Sequence, residues 1–140
     1  MDIRSKTILQ LILSFIGLAD SSYLTVISFT QGNVPCVAGL ACEKVLNSAF
    51  SHVGVIPIAL IGAIYYLILS LLFLGYLDRT HSKYLSWAFK LIILGTLAEV
   101  GLVSLQLFVI KAICPFCMIS AIVTFLIAGL FLISKRSLIQ

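Results

Sequence analysis

Charge is what this chain has least of. Asp, Glu, Lys and Arg make up only 10% of its 140 residues while 61% are hydrophobic, against about 25% charged in ordinary globular domains. A soluble domain of this length could not bury so much apolar surface, so the chain reads as an integral membrane protein, and its length fits one domain over 1–140. The formal net charge of +4 comes from nine basic against five acidic residues and includes no basic run. Nucleic-acid binding therefore has no footing. A Gly-x-Gly-x-x-Gly turn is also missing, and with it any sign of a nicotinamide-binding domain. Neither an internal repeat nor a low-complexity stretch is visible.

What is present is long apolar runs. Four stretches, about 7–29, 57–76, 86–110 and 114–134, are each long enough to cross a bilayer as a helix. Pro57 and Pro115 suit the first turns of the second and fourth, where a missing N–H costs nothing. The predicted fold class is an all-α membrane bundle of four transmembrane helices. Between helices one and two, 30–56 is long and polar enough to lie outside the lipid, whereas 77–85 is a short turn. Residues 111–113 leave almost no connection, so helices three and four form a tight hairpin. Arg4 and Lys6 precede the first run as they would in a signal peptide, but the run is too long and lacks a small-x-small cleavage site, so a retained helix is expected.

With both termini cytoplasmic, the inner face carries Arg4, Lys6, Arg79, Lys83, Lys90, Lys135 and Arg136, and the outer face only Lys44 and Lys111. That asymmetry obeys the positive-inside rule. It sends the first loop and the start of helix four to the outer face, which in bacteria is the oxidising one.

The cysteines number four and fall into two pairs with none left over. In Cys114-Pro115-Phe116-Cys117 the thiols stand three apart on one helix face, the usual spacing of a pair that cycles between dithiol and disulfide. A helix N-terminus favours the thiolate there. The plain alternative is a pair of small buried hydrophobes. Cys36 and Cys42 enclose Val37-Ala38-Gly39-Leu40-Ala41, and Gly39 lets so short a loop close. A bridge across it would stabilise little, which suits exchange better than stapling, although a structural disulfide stays open. A four-cysteine zinc site is disfavoured because such sites usually join two close-spaced pairs in a soluble fold, and no metal is expected.

Two dithiol pairs on one face read as a relay, passing electrons from a partner to the loop pair and on to the helix pair. A lipid-soluble two-electron acceptor, a quinone, suits sulfurs at the membrane boundary beside Phe116 and Phe125. Asp20 and Glu99 lie in mid-helix, where ionisable groups are costly and face the bundle interior. A proton route or a polar group of a quinone pocket is one reading. The preferred one is structural interhelical hydrogen bonding to Gln10, Ser22, Ser104 or Gln106. His52 is a proton-donor candidate or, more commonly, a surface histidine. His81 belongs on the cytoplasmic turn, and Tyr84 and Trp87 read as interface anchors.

The chain resembles the vitamin K epoxide reductase family, in its bacterial or archaeal single-domain form, over nearly its whole length. The resemblance is carried by Gly17-Leu18 and Ser22-Tyr23-Leu24, by Cys36, Cys42 and Ser48, by Gly54, Pro57, Gly62 and Tyr66, and by Cys114-Pro115-Phe116-Cys117. In the other four-helix quinone-linked disulfide oxidases the Cys-x-x-Cys comes first, and here it comes second. The resemblance implies catalytic roles for Cys36, which exchanges with a redox partner, for Cys42, which bridges transiently to Cys114, and for Cys117, which faces the quinone. Ser48 would support that cofactor site by hydrogen bonding, if it is not simply a loop or helix-capping serine. The implied electron acceptor is of the menaquinone or ubiquinone type. Vertebrate members carry a tyrosine where this chain has Ala121 and an asparagine where it has Ile58, so plain quinone reduction is expected rather than epoxide reduction. Many prokaryotic members carry a fused thioredoxin-like domain. This chain stops soon after helix four, so a separate thioredoxin-fold (DsbA-like) partner is expected, with the protein in the cell's inner membrane supporting disulfide formation. Two other classes stay open: a structural membrane subunit with a stapled external loop, and a small transporter using Asp20 and Glu99. The lack of an inverted repeat speaks against transport.

Overall fold

The first helix carries its polarity inward. In α1 (Ile3–Thr30) the buried residues are Thr7, Gln10, Ser14, Gly17, Ser21, Leu24 and Thr25, a stripe recurring every three or four positions. Ile8, Ile12, Phe15, Ile16 and Val26 point outward instead. Lipid is as apolar as leucine, so helices in a bilayer associate through small residues and hydrogen bonds rather than through apolar stripes. Three of the stripe's hydroxyls are satisfied within the helix, with Thr7 donating to the Ile3 carbonyl at 2.9 Å, Ser14 to that of Gln10 at 2.9 Å and Thr25 to that of Ser21 at 2.7 Å. Gln10 donates outward, to the Ile127 carbonyl at 3.2 Å.

The computed structural model describes residues 2–30, 52–111 and 113–139. Within them, β1 (His52–Val53) pairs antiparallel with β2 (Ile56–Pro57) in the register His52↔Pro57, Val53↔Ile56. Gly54 takes φ 66° in the tight turn, a conformation that favours glycine. Next come α2 (Ile58–Arg79), α3 (Ser82–Ser104, wound on as a π-helix over Leu105–Ile110) and α4 (Pro115–Ile139).

Among the described residues four helices are long and apolar enough to span a membrane, and the fold is the expected all-α bundle. The helices outrun the predicted spans at most of their ends. α1 begins at Ile3, and α2 and α3 are parted only by Thr80 and His81 instead of by 77–85. Hydropathy marks what lipid must cover, whereas a helix continues into polar residues until the backbone turns. Here it turns at Thr80, in the left-handed region at φ 51°. Pro57 and Cys114 sit just outside α2 and α4, and Pro115 takes the first helical position as expected.

α1 packs most extensively on α2 and then on α4, while α3 packs on α2 and α4. The apolar core is Tyr66, Leu69, Phe73, Ala88, Ile92, Val123, Ile127 and Phe131, joining α2, α3 and α4 toward the α2–α3 turn. Leu97, Val100 and Phe108 project outward from α3, a surface suited to lipid. Above the core, toward the opposite end, the helices part around a cavity.

Candidate quinone and dithiol site

Cys114 and Cys117 lie at the mouth of the α3–α4 hairpin, and both are free thiols. Cys114 is fully buried and precedes the first turn of α4, where backbone N–H groups have no helical partner. The Cys117 thiol donates to its sulfur, and the backbone N–H groups of Phe116 and Cys117 also point at it. Together they hold the Cys114 thiol below its ordinary range, at about 7, although burial pushes the other way. Its own N–H donates to Gln106 Oε1 at 3.3 Å, reaching back to the π-turn of α3. That turn closes on Lys111, in the left-handed region at φ 54°, whose N–H donates to the Gln106 carbonyl. Gln106 thus binds both strands of the hairpin. Phe116, between the thiols, packs its ring 5.5 Å from that of Tyr23 on α1.

The rotation of α4 is fixed by a hydrogen-bonded chain. The Tyr66 hydroxyl meets Thr124 Oγ1 at 2.7 Å and Ser120 Oγ at 3.0 Å, and Ser120 Oγ donates to Glu99 Oε1 at 2.9 Å. Tyr66 reaches α4 because Gly17 leaves room: a Cβ at Gly17 would stand 2.5 Å from its ring. Ser120 is one helical turn beyond Cys117 and shares its face. Pinning Ser120 to α2 and α3 therefore turns Cys117 inward.

Cys117 lines a cavity of about 380 Å³ between the four helices, whose walls are largely aliphatic, with Ile58, Ile61, Leu94 and Leu102 among them. That volume falls within the range of about 300–1,000 Å³ typical of small-molecule sites. Ser28, Pro57, Ile110 and Cys117 line it together, so the end of α1, the start of α2, the end of α3 and the start of α4 share one end of the bundle.

The model of the vitamin K epoxide reductase family matches residues 8–132. The chain belongs to that family. No curated protein matches the sequence. Family membership makes this an integral membrane oxidoreductase of the quinone-linked thiol class.

Of the expected site residues of this reductase-family chain, Cys114 and Cys117 are brought together, while Cys36, Cys42 and Ser48 lie outside the described residues. The carboxyl groups depart from expectation. Glu99 makes an interhelical bond, but with Ser120. Asp20 Oδ2 is buried with no partner among the described residues and lines the cavity. Of the anticipated partners Ser22 is exposed, and the others are committed elsewhere: Gln10 to Ile127, Ser104 to the Val100 carbonyl at 2.7 Å, and Gln106 to Cys114. Gln106 and Ser120 went unrecognised as supports of the dithiol. A lone amide in an apolar run, and a serine one turn after the second cysteine, were the available signals.

Proposed function

We propose that the chain, acting as one membrane domain, reoxidises a separate thioredoxin-fold protein and passes the electrons to a quinone. The observation that carries this is the division of labour between the two helix thiols: Cys117 lines the apolar cavity, and Cys114 is the sulfur held near neutrality at the helix start. The residues present fit a quinone, since the cavity is apolar, has room for a ring system and has a thiol on its wall. When bound, the quinone supplies an acceptor for two electrons and two protons.

The chain's own steps run as thiol–disulfide exchange. A partner thiolate attacks the Cys36–Cys42 disulfide, and the partner's second thiol resolves the mixed disulfide. Freed Cys42 attacks Cys114 of the Cys114–Cys117 disulfide, leaving Cys117 to take up a proton. Cys36 then closes on Cys42 and expels Cys114, for which a low thiol pKa is an advantage because leaving groups of lower pKa leave faster. The helix pair is now a dithiol. It loses two electrons and two protons to the quinone as its S–S bond re-forms, and the apolar walls exclude water from that transfer. Ser48 would support the site from the loop. Both termini are cytoplasmic in this reading and all four cysteines serve the outer face of the cell membrane. The quinone is of the menaquinone or ubiquinone type, reduced without epoxide chemistry.

Anaerobic turnover with a reduced thioredoxin-fold donor and either quinone type tests the proposal. Cys117→Ala is expected to reduce quinone at the background rate while still forming a mixed disulfide through Cys36. Turnover at the wild-type rate in that variant would remove the assignment.

A further inference from the structure

Two buried side-chain oxygens, Asp20 Oδ2 and Tyr65 OH, have no hydrogen-bond partner among the described residues, and both residues line the cavity that Cys117 lines. Buried polar groups are paired in roughly 90% or more of cases, and the exceptions ask for an explanation. Several polar groups of the same walls are already engaged: Ser120 with Glu99, Tyr66 with Ser120 and Thr124, and Gln106 with Cys114. Tyr65 has little freedom to find a partner elsewhere. Its ring stands edge-on to Tyr66 at 5.1 Å, and its hydroxyl occupies the notch left by Gly95, a cavity residue that any Cβ would fill. Asp20 lines the same cavity wall as Cys117, the sulfur proposed to face the quinone.

We propose that Asp20 and Tyr65 form a pair of hydrogen-bond donors for the carbonyl oxygens of the quinone, and that Asp20 is the acid that protonates one of them. The inference rests on the quinone reading above and assigns the residues that hold and orient the ring. Among the described residues no lysine, arginine or histidine lines the cavity, so none of them offsets a charge on Asp20, and the carboxyl enters as a donor carrying its proton. A lipid acyl chain, the other apolar candidate for the space, offers these atoms no acceptor, whereas a quinone offers two. The balance is complete. The Cys114/Cys117 dithiol gives up two electrons and two protons and forms its S–S bond. Asp20 gives its proton to one carbonyl oxygen and takes one of the two dithiol protons in return, ending as it began, while the other dithiol proton passes to the second carbonyl oxygen.

Equilibrium binding of decylubiquinone and menadione to the oxidised protein in detergent, read by fluorescence quenching, tests the donor pair apart from turnover. Tyr65→Phe is expected to weaken both quinones about tenfold, the scale of one lost hydrogen bond. It leaves 2-methylnaphthalene, a ring of similar shape without carbonyls, bound as in the wild type. Asp20→Asn keeps a donor but has no acid proton, so KM holds and kcat falls about a hundredfold. Asp20→Leu loses quinone affinity as well. Should that variant fail to fold, the two near-isosteric ones carry the test, with unfolding midpoints measured beside them. Wild-type quinone affinity in Tyr65→Phe overturns the donor pair, and wild-type kcat in Asp20→Asn overturns the acid, while the proposed function stands in either case. A wild-type protein that neither binds nor reduces quinone overturns both.

Discussion

Cys114 is defined by what surrounds its two polar atoms. Its N–H is taken by Gln106, and its sulfur faces the Cys117 thiol and two backbone N–H groups. Gln106→Leu leaves that N–H buried and unpaired, which costs about 1–3 kcal/mol. Thermal unfolding should show that loss, and Gln106→Glu, which keeps an acceptor, should recover much of it. The sulfur has its own signature. With Cys36 and Cys42 replaced by serine, the ultraviolet absorbance of the thiolate should rise through a midpoint near pH 7, the value at which Cys114 is held. The thiolate is thus gained as pH rises and lost as it falls. Replacing Cys117 with alanine removes the strongest contributor and moves the midpoint upward toward an ordinary thiol. The Cys114–Cys117 spacing was legible in the sequence because redox chemistry imposes it. Gln106 was not, because its role depends on where the π-turn of α3 delivers a side chain eight residues before the cysteine.

Helix against helix, the bundle depends on small residues that admit large ones. Gly17 on α1 admits the ring of Tyr66 from α2, and Tyr66 in turn holds Ser120 and Thr124 on α4. Tyr66 is only 1% exposed, so its ring has no space into which to yield. Gly17→Ala should destabilise the protein in detergent by about 1–3 kcal/mol, as overpacking does. Gly101→Ala meets nothing within 4 Å and should be neutral or slightly stabilising in the same melt. A loss of equal size at both positions would contradict the packing account. The spans themselves were legible because lipid demands about 20 apolar residues whatever the neighbours are. The inward polar stripe of α1 and the length of α2 past Tyr76 follow from packing partners and backbone turns, which hydropathy does not report.

At the scale of the whole molecule, the ends of α1 and α2 that flank 31–51 lie at the end of the bundle where Cys114 and Cys117 stand. The proposed relay needs that proximity, since exchange requires one sulfur to attack another directly. Positive-inside counting predicts a shared face from charge alone, and the antiparallel order of the helices brings these helix ends together. For Asp20 the sequence favours a structural hydrogen-bonding role over a place in a quinone pocket, because an orphaned oxygen on a cavity wall becomes visible only once the helices are assembled. The most direct test of the account is to leave one sulfur in each half of the relay. In a Cys36→Ala, Cys117→Ala double variant oxidised under mild conditions, mass spectrometry of the digested protein should find a Cys42–Cys114 disulfide within a single chain. Two free thiols, or a bridge only between separate chains, would contradict it.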